Sequence, residues 1–340
     1  MKLIKRARKK NNPPETNAAE STSSRVTDES LERHRKEIFS RGRRFVYPVH
    51  ITKRHIVRNS LILIGIIIIG FLAVTGVAIY RYKSDSLLIY RISKVLPFPA
   101  AKVNNSFVSY EEYLFLLRSN QTYLANREQS QDNQPLLEEL REQAYIQAKK
   151  NAILKQLGDR YNVTVTKEDI DGQIALLESF SGGQKRLDEI VSDFYGMSMG
   201  ELRYLLYLQL LEQKLAPLIS LEAKAQVESI QERLAAGEDF ATLAGELSDD
   251  DQTASNGGSL GVVSTSTQDL PKEVVTTGLK LGAGATELVN GPSGFHIVKK
   301  IADKEDGSAE LAHILIFYED TDSLIEKELE GANVHDYIKP

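Results

Sequence analysis

The side chains of this chain best suited to chemistry lie late in it. His296 sits in GFHIV, a β-branched run opened by Gly294, and His313 sits in AHILI. No histidine occurs between Tyr80 and His296. Ahead of both, the run SDDD at 248–251 gathers carboxylates just before NGGSLG. The chain has no cysteine, which removes thiol catalysis, disulfides and cysteine-bound zinc. No HExxH pair is present and no nucleotide-binding glycine loop precedes a helix, so hydrolase and nucleotide-binding readings have little footing.

Those residues depend on the elements around them. GEDFATLAGEL places Phe240, Leu243, Ala244 and Leu247 at i, i+3, i+4 and i+7, one apolar stripe of a helix. Gly257, Gly258 and Gly261 bracket a short strand where the backbone needs positive φ or a close approach. SGFHIVKK reads as a further strand. In this order and spacing, Gly237 to Lys300 resembles the parvulin family of peptidyl-prolyl isomerases. That family's signature runs from a G-x-D-F-x-x-L-A helix, through an S-x-D loop and a G-G-x-L-G strand, to a G-x-H-I-[IV]-K strand.

One piece of the family pattern is displaced. Its first strand, [RA]-x-H-I-L-[VI], is missing ahead of the GEDF helix, where Pro217 runs straight into ISLEAKAQVESIQERL. A good copy, Ala312–Ile316, stands instead after the last signature strand, beyond a turn at Glu305–Gly307. The resemblance then implies a circularly permuted domain, with AHILI antiparallel beside GFHIV. A truncated second repeat is the alternative, but it leaves a sheet without a central strand and with two unpaired edges.

For the site, the resemblance implies paired histidines, His296 and His313, on adjacent strands. Asp251 falls where the family has cysteine or aspartate. The shelf for the proline ring falls to Val263, Gln268, Leu270 and Lys272. Gln268 and Lys272 stand where thioether and aromatic groups usually supply apolar area. A family member of this kind makes no covalent bond and uses no cofactor; it eases rotation about an X-Pro bond. The competing readings are a two-histidine, one-carboxylate metal site, histidines that only fill strand positions, and a catalytically inactive holdase that uses the fold for binding.

The preceding region reads as helical. Ser109 with Glu112, and Ser198 with Glu201, are capping-box patterns, and Thr166 with Asp169 starts another helix. Residues 119–134 read as a polar loop. A long helix is expected from Pro135 to Leu157, closed by Gly158, and a strongly apolar one from Ser198 to Leu215, stopped by Pro217. The opening at Val103 to Glu112 and the YGMSMGELR helix at Tyr195 to Arg203 are similar to the N-terminal chaperone domain of SurA-, PrsA- and PpiD-like foldases. Such domains grip unfolded chains in an apolar groove, for which Tyr204, Leu205, Tyr207, Leu208 and Leu211 are candidates beside their simpler role as core.

Charge is divided sharply along the chain. Residues 1–58 hold 16 Lys+Arg against 6 Asp+Glu, and the remainder 26 against 41. Asn59 to Tyr80 is an uncharged, mostly apolar run that spans about 33 Å as a helix, against a hydrocarbon core of roughly 30 Å. It is too long and too far from the start for a cleavable signal peptide, and Arg81-Tyr82-Lys83 follows it where small residues precede a cut. A retained signal anchor is the reading, with the basic N-terminus cytoplasmic and the rest extracytoplasmic.

The expected organisation is therefore α+β. It comprises a largely disordered basic tail (1–58), a transmembrane anchor (59–80), a connector (81–99) and an all-helical SurA-N-like domain (100–219). A parvulin-like, FKBP-like α+β domain (220–320) follows, then a short helix and frayed tail (321–340). The expected partners are exported, unfolded or partly folded polypeptides with X-Pro bonds, and a lipid bilayer crossed once; no nucleic acid is expected.

Overall fold

The computed structural model describes residues 27–45, 49–127 and 137–339. It divides into two compact units, residues 1–72 and 73–340. In the first, α1 (Asp28–Phe45) is helical where the basic composition suggested disorder. Asp28 and Glu29 in its first turn complement the helix dipole, and no proline interrupts the run. The rest of the tail before residue 27 lies outside the described residues. Helix α2 (Val49–Tyr80) follows. Its stretch from Arg54 to Tyr80 is, by length and composition, the one helix among the described residues able to cross a membrane.

The second unit opens on the last turns of α2. Ile79 is fully buried in its core. Lys83, at a left-handed φ of 50°, ends the helix, and the Ser84 N–H donates back to the Ala78 carbonyl at 3.0 Å. Then come α3 (Leu87–Val95), the hairpin β1 (Pro99–Val103) and β2 (Ser106–Ser109), α4 (Tyr110–Arg127) and α5 (Leu137–Arg160). Helices α6 (Lys167–Ser181) and α7 (Gln184–Glu189), a π-helical turn at Ile190–Phe194 and α8 (Met199–Ile219) complete the run. Of the two expected capping boxes, Ser198/Glu201 forms in full, whereas at Ser109 only the Glu112 amide donates to the Ser109 hydroxyl and the Glu112 carboxylate accepts from Asn151 and Tyr204 instead; the helix start at Thr166/Asp169 is itself a capping box. Residues 119–127, expected in a polar loop, continue α4 instead. The remainder of that loop, with Pro135, lies outside the described residues. Gly158 does not close α5; it lets α8 approach, since a Cβ there would lie 2.8 Å from Leu211 Cδ1. Pro217 sits inside the last turn of α8, and the break comes at Ser220.

The second half of this unit is the sheet domain. Helices α9 (Leu221–Ala235), α10 (Phe240–Leu247) and the short α11 (Asp251–Ala254) precede β3 (Ser259–Val263). Helix α12 (Lys272–Lys280) leads to β4 (Thr286–Asn290), β5 (Gly294–Asp303) and β6 (Ala309–Phe317). The four strands run in the order β3-β6-β5-β4, every neighbouring pair antiparallel. Period-2 alternation sorts their side chains. Phe295, Ile297, Ala312, Ile314 and Ile316 join α9 and α10 in one core. On the other face Val298, Leu311 and Ala309 meet Val274 and Val275 of α12.

The chain then returns to the helical domain. Helix α13 (Thr321–Glu330) lies on α5, and β7 (Val334–Asp336) pairs with β1 to give the sheet order β2-β1-β7. Ile325 and Ile338 are buried in the helical core at 4% and 3% exposure. The Tyr145 hydroxyl donates to Asp336 Oδ1 at 2.7 Å, and Lys150 Nζ reaches Asp322 and Glu326 at 2.8 and 2.6 Å. Two expectations are corrected here. The helical domain is mostly rather than wholly helical, and residues 321–339 complete it instead of fraying. The reason is burial: the tail's aliphatic residues fill a core that the preceding segment leaves open.

Candidate active site

Strands β5 and β6 set the geometry. Their register pairs Val298 with His313 and His296 with Leu315. Both histidines point to the face opposite α9 and α10, and their Nδ1 atoms lie 2.9 Å apart. The rings stack at 29° with centroids 5.1 Å apart, and each residue is nearly fully buried. The strand expected beside GFHIV is thus there, bonded to β5 on one side and β3 on the other.

The carboxylate is Asp250, not Asp251. Asp250 is the N-cap of α11; its Oδ1 accepts from the Gln252 amide at 3.1 Å. Its Oδ2 accepts from the Thr253 hydroxyl at 2.7 Å and from His313 Nε2 at 2.8 Å. Asp251 is the first helical residue and is exposed to solvent. Counting back from the glycines lands one residue late, because a one-residue step at a helix N-terminus turns a side chain by about 100°. The missed residues, Asp250 and Thr253, did carry a signal: Asp followed three residues later by Thr at a short helix start is an N-cap pattern.

This network fixes the tautomers. A carboxylate only accepts, so His313 Nε2 carries the proton and its Nδ1 is a bare acceptor. His296 Nδ1 must therefore donate, which leaves a lone pair on His296 Nε2, a buried atom without a hydrogen-bond partner. Gly291 lies against that nitrogen; a Cβ there would be 2.6 Å away. Burial, then the neighbouring His313, pushes His296 down to about 4, with Asp250 opposing. Burial also lowers His313, while its bond to Asp250 works the other way. For Asp250, burial alone raises the carboxyl, but Thr253, His313 and the Gln252 amide outweigh it and hold it below its usual range. At neutral pH the constellation is one carboxylate and two neutral imidazoles. Among the described residues no histidine–carboxylate group has metal-holding geometry.

The proposed shelf divides. Gln268, Leu270 and Lys272 line a cavity of about 690 Å³ together with Thr265, Val275 and Leu279. Val263 is 1% exposed and packs under them against Val275 and Leu311. It is core, because the β3 alternation that exposes Val262 turns Val263 inward. Neither histidine lines this cavity. The groove candidates of the helical domain are also largely internal: Leu208 and Leu211 are buried, and the Tyr204 hydroxyl donates to buried Glu112 at 2.5 Å. Gly257–Gly261 spells G-x-S-x-G, but Ser259 opens a strand and its hydroxyl accepts from the Gly261 amide, so it is no strand-to-helix nucleophile elbow.

Gly258 joins loop to site. It has φ +77°, its carbonyl accepts from the His313 amide at 2.8 Å, and a Cβ would overlap the His313 carbonyl. Gly258→Ala is expected to destabilise the sheet domain by at least about 2 kcal/mol, read from urea unfolding.

Comparison with known proteins agrees with the two halves. Residues 219–302 match the PPIC-type PPIase (rotamase) domain, and residues 53–216 match the SurA-like N-terminal domain. The rotamase match stops before β6 and His313. Foldase protein PrsA of Oceanobacillus iheyensis is 26% identical over 202 residues, covering 52% of this chain and 64% of that protein. Foldase protein PrsA 1 of Listeria innocua serovar 6a is 30% identical over 125 residues, covering 34% of this chain and 42% of its own length. The chain therefore spans less than two thirds of these relatives. A crystal structure of peptidylprolyl isomerase (PrsA) from Bacillus anthracis overlaps 55% of this chain and 87% of its own at 18% identity, with a TM-score of 0.18, too loose for a structural argument. The chain carries a PPIC-type PPIase domain behind a SurA-like N-terminal domain, with PrsA foldases among its homologues.

Proposed function

We propose that this protein is a membrane-anchored, extracytoplasmic foldase that catalyses peptidyl-prolyl cis–trans isomerisation in exported, unfolded or partly folded polypeptides. The observation that carries the reading is the chain of short contacts from Asp250 through His313 to His296. Rotation about an X-Pro bond meets a barrier of about 18–20 kcal/mol. A site lowers it by holding fixed dipoles against the twisted amide in a dry pocket, with no reorganisation as the bond turns. Both imidazoles here are buried, neutral and locked in one tautomer by a carboxylate. Asp250 acts through His313 and is a positioning residue. The domain is read as circularly permuted, which is supported by β6 lying between β3 and β5. Anchorage rests on the apolar stretch of α2, and an outward-facing folded part on the basic residues before it.

The test uses the full chain in lipid nanodiscs, because a soluble piece starting at Ser84 would lose buried Ile79. Refolding of a proline-limited substrate is expected to accelerate. His313→Ala and Asp250→Ala are expected to lose about tenfold or more of that acceleration, and Asp251→Ala to retain it. No acceleration by folded full-length protein rejects the enzyme. Suppressed aggregation at an unchanged isomerisation rate then selects the holdase reading, which the polar side chains Gln268, Lys272 and Thr265 around the cavity favour.

A further inference from the structure

The segment that follows the apolar stretch of α2 is apolar on two sides. Helix α3 buries Ile89, Tyr90 and Ser93 against the domain core. At 3.6 residues per turn, Leu87, Leu88, Arg91 and Val95 fall within about 100° of arc on the other side. Leu87, Leu88 and Val95 are 53%, 67% and 79% exposed. Tyr82, in the turn before α3, is 74% exposed. A soluble surface helix normally turns polar residues to water, and this one turns aliphatic residues outward.

The unpaired charge of this segment is basic. Arg81, Lys83 and Arg91 are exposed and form no ion pair among the described residues. The acidic residue of the segment, Asp85, is bound by Arg141 at 2.8 Å. Lys94 lies over the Tyr90 ring and reaches Glu201 at 2.8 Å. Aliphatic residues with exposed basic ones and an exposed tyrosine match the boundary of a bilayer carrying anionic headgroups.

The place of the patch is set by short connections. Tyr80, the last residue of α2, donates from its hydroxyl to the Pro99 carbonyl at 3.0 Å, and the Tyr110 hydroxyl donates to the Ser84 carbonyl at 3.1 Å. With Ile79 buried in the core, the end of α2 is built into the folded domain rather than joined to it by a loose tether. Only seven residues separate the end of α2 from Leu88.

We infer that the outer side of α3, with Tyr82, Leu87, Leu88, Arg91 and Val95, is a membrane-docking face that seats the helical domain on an anionic bilayer surface. This rests on the anchor reading of α2 and deepens it: the anchor holds the protein to the membrane, and α3 fixes the domain's orientation on it. A client polypeptide or a second copy is the competing occupant.

The chain's lack of cysteine makes the test clean. Leu88→Cys, Val95→Cys, Leu63→Cys and Phe180→Cys variants of the full chain are labelled with an environment-sensitive fluorophore. Phe180 is 81% exposed on α6 and serves as the reference. Each is reconstituted in vesicles of phosphatidylcholine and phosphatidylglycerol containing lipids spin-labelled near the headgroup or deep in the acyl chain. Positions 88 and 95 are expected to be quenched by the shallow label about threefold more than position 180, with position 63 quenched by the deep label. Quenching at 63 with none above the reference at 88 and 95 overturns the docking face and leaves the anchor intact. No quenching at 63 overturns the anchor and the docking face with it. Disulfide-linked dimers through unlabelled Val95→Cys in the same vesicles assign the patch to a second copy, and a fluorescence change at 88 and 95 on adding unfolded polypeptide, with no shallow quenching above the reference in its absence, assigns it to a client; either outcome rejects the docking face.

Discussion

Ending the chain at Glu319 is expected to unfold the helical domain, or to lower its stability by about 5 kcal/mol or more, while the sheet domain stays folded. The truncation removes Ile325 and Ile338 from the helical core, and losing a buried isoleucine side chain typically costs about 2–5 kcal/mol. It also exposes an edge of β1, takes the carboxylates from Lys150, which is 8% exposed, and strips Asp336 from Tyr145. Those losses add up to much of the roughly 5–15 kcal/mol that holds a domain folded. The sheet core of Leu243, Ile297 and Ile314 is untouched. Hydrogen exchange is the suitable readout, because it separates the two halves. Protection in α5 and β1 is expected to fall to that of an unfolded segment while β5 and β6 keep theirs. Ile325→Ala and Ile338→Ala are expected to give milder versions of the same pattern. Equal protection of α5 in the truncated and full chains would show the tail to be an ornament.

Acid is expected to act on the other half. His296 is held neutral in the fold, titrating at about 4, whereas in the unfolded chain it takes a proton near 6.5. Between those values the unfolded state binds the proton and the folded state does not. Its contribution to stability is therefore complete above about pH 6.5 and is lost as the pH falls toward 4. The shift corresponds to about 3 kcal/mol at most. The lowered His313 acts in the same sense, and so does the lowered Asp250 at still more acid pH. His296→Gln keeps a hydrogen-bond donor for His313 Nδ1 and does not titrate. The variant is expected to start less stable at neutral pH and to lose less between pH 6.5 and 4. Urea unfolding of the sheet domain across that range, with the histidine ring protons followed by NMR, checks both the slope and the titration point. Parallel curves for the two proteins would remove His296 as the source of the acid sensitivity.

The residues that were readable in the sequence were those governed by local rules. The GEDF helix forms with Phe240, Leu243 and Ala244 buried, because a stripe at i, i+3 and i+4 specifies both the helix and its core face, whereas Leu247, the i+7 member of that stripe at the helix end, is 37% exposed. Of the two expected capping boxes, Ser198/Glu201 forms because its hydrogen bonds close within four residues, whereas the Glu112 carboxylate is drawn away from Ser109 by Asn151 and Tyr204, which lie far along the chain. Gly257, Gly258 and Gly261 all take positive φ. The pairing of AHILI with GFHIV was also legible, since two β-branched runs joined by a short turn have few other ways to satisfy their backbone. The errors came where a side chain's direction depends on distant packing. Asp250 and Asp251 differ by one step in a run of three identical residues, and only the approach of β6 distinguishes them. Val263 and the polar shelf candidates separate according to which of them α12 covers.

Taken alone, the sequence determined the apolar stretch of α2, the two domain types in their order, and the two strands that carry the histidines. Each of these is written in periodicity, composition or a short motif. Tertiary structure decided which carboxylate meets His313, that the last residues return to close the helical core, and that the end of α2 is built into the folded domain. These three features depend on contacts between segments far apart in the chain, where burial and hydrogen-bond partners are set by what packs alongside. No local pattern carries that information.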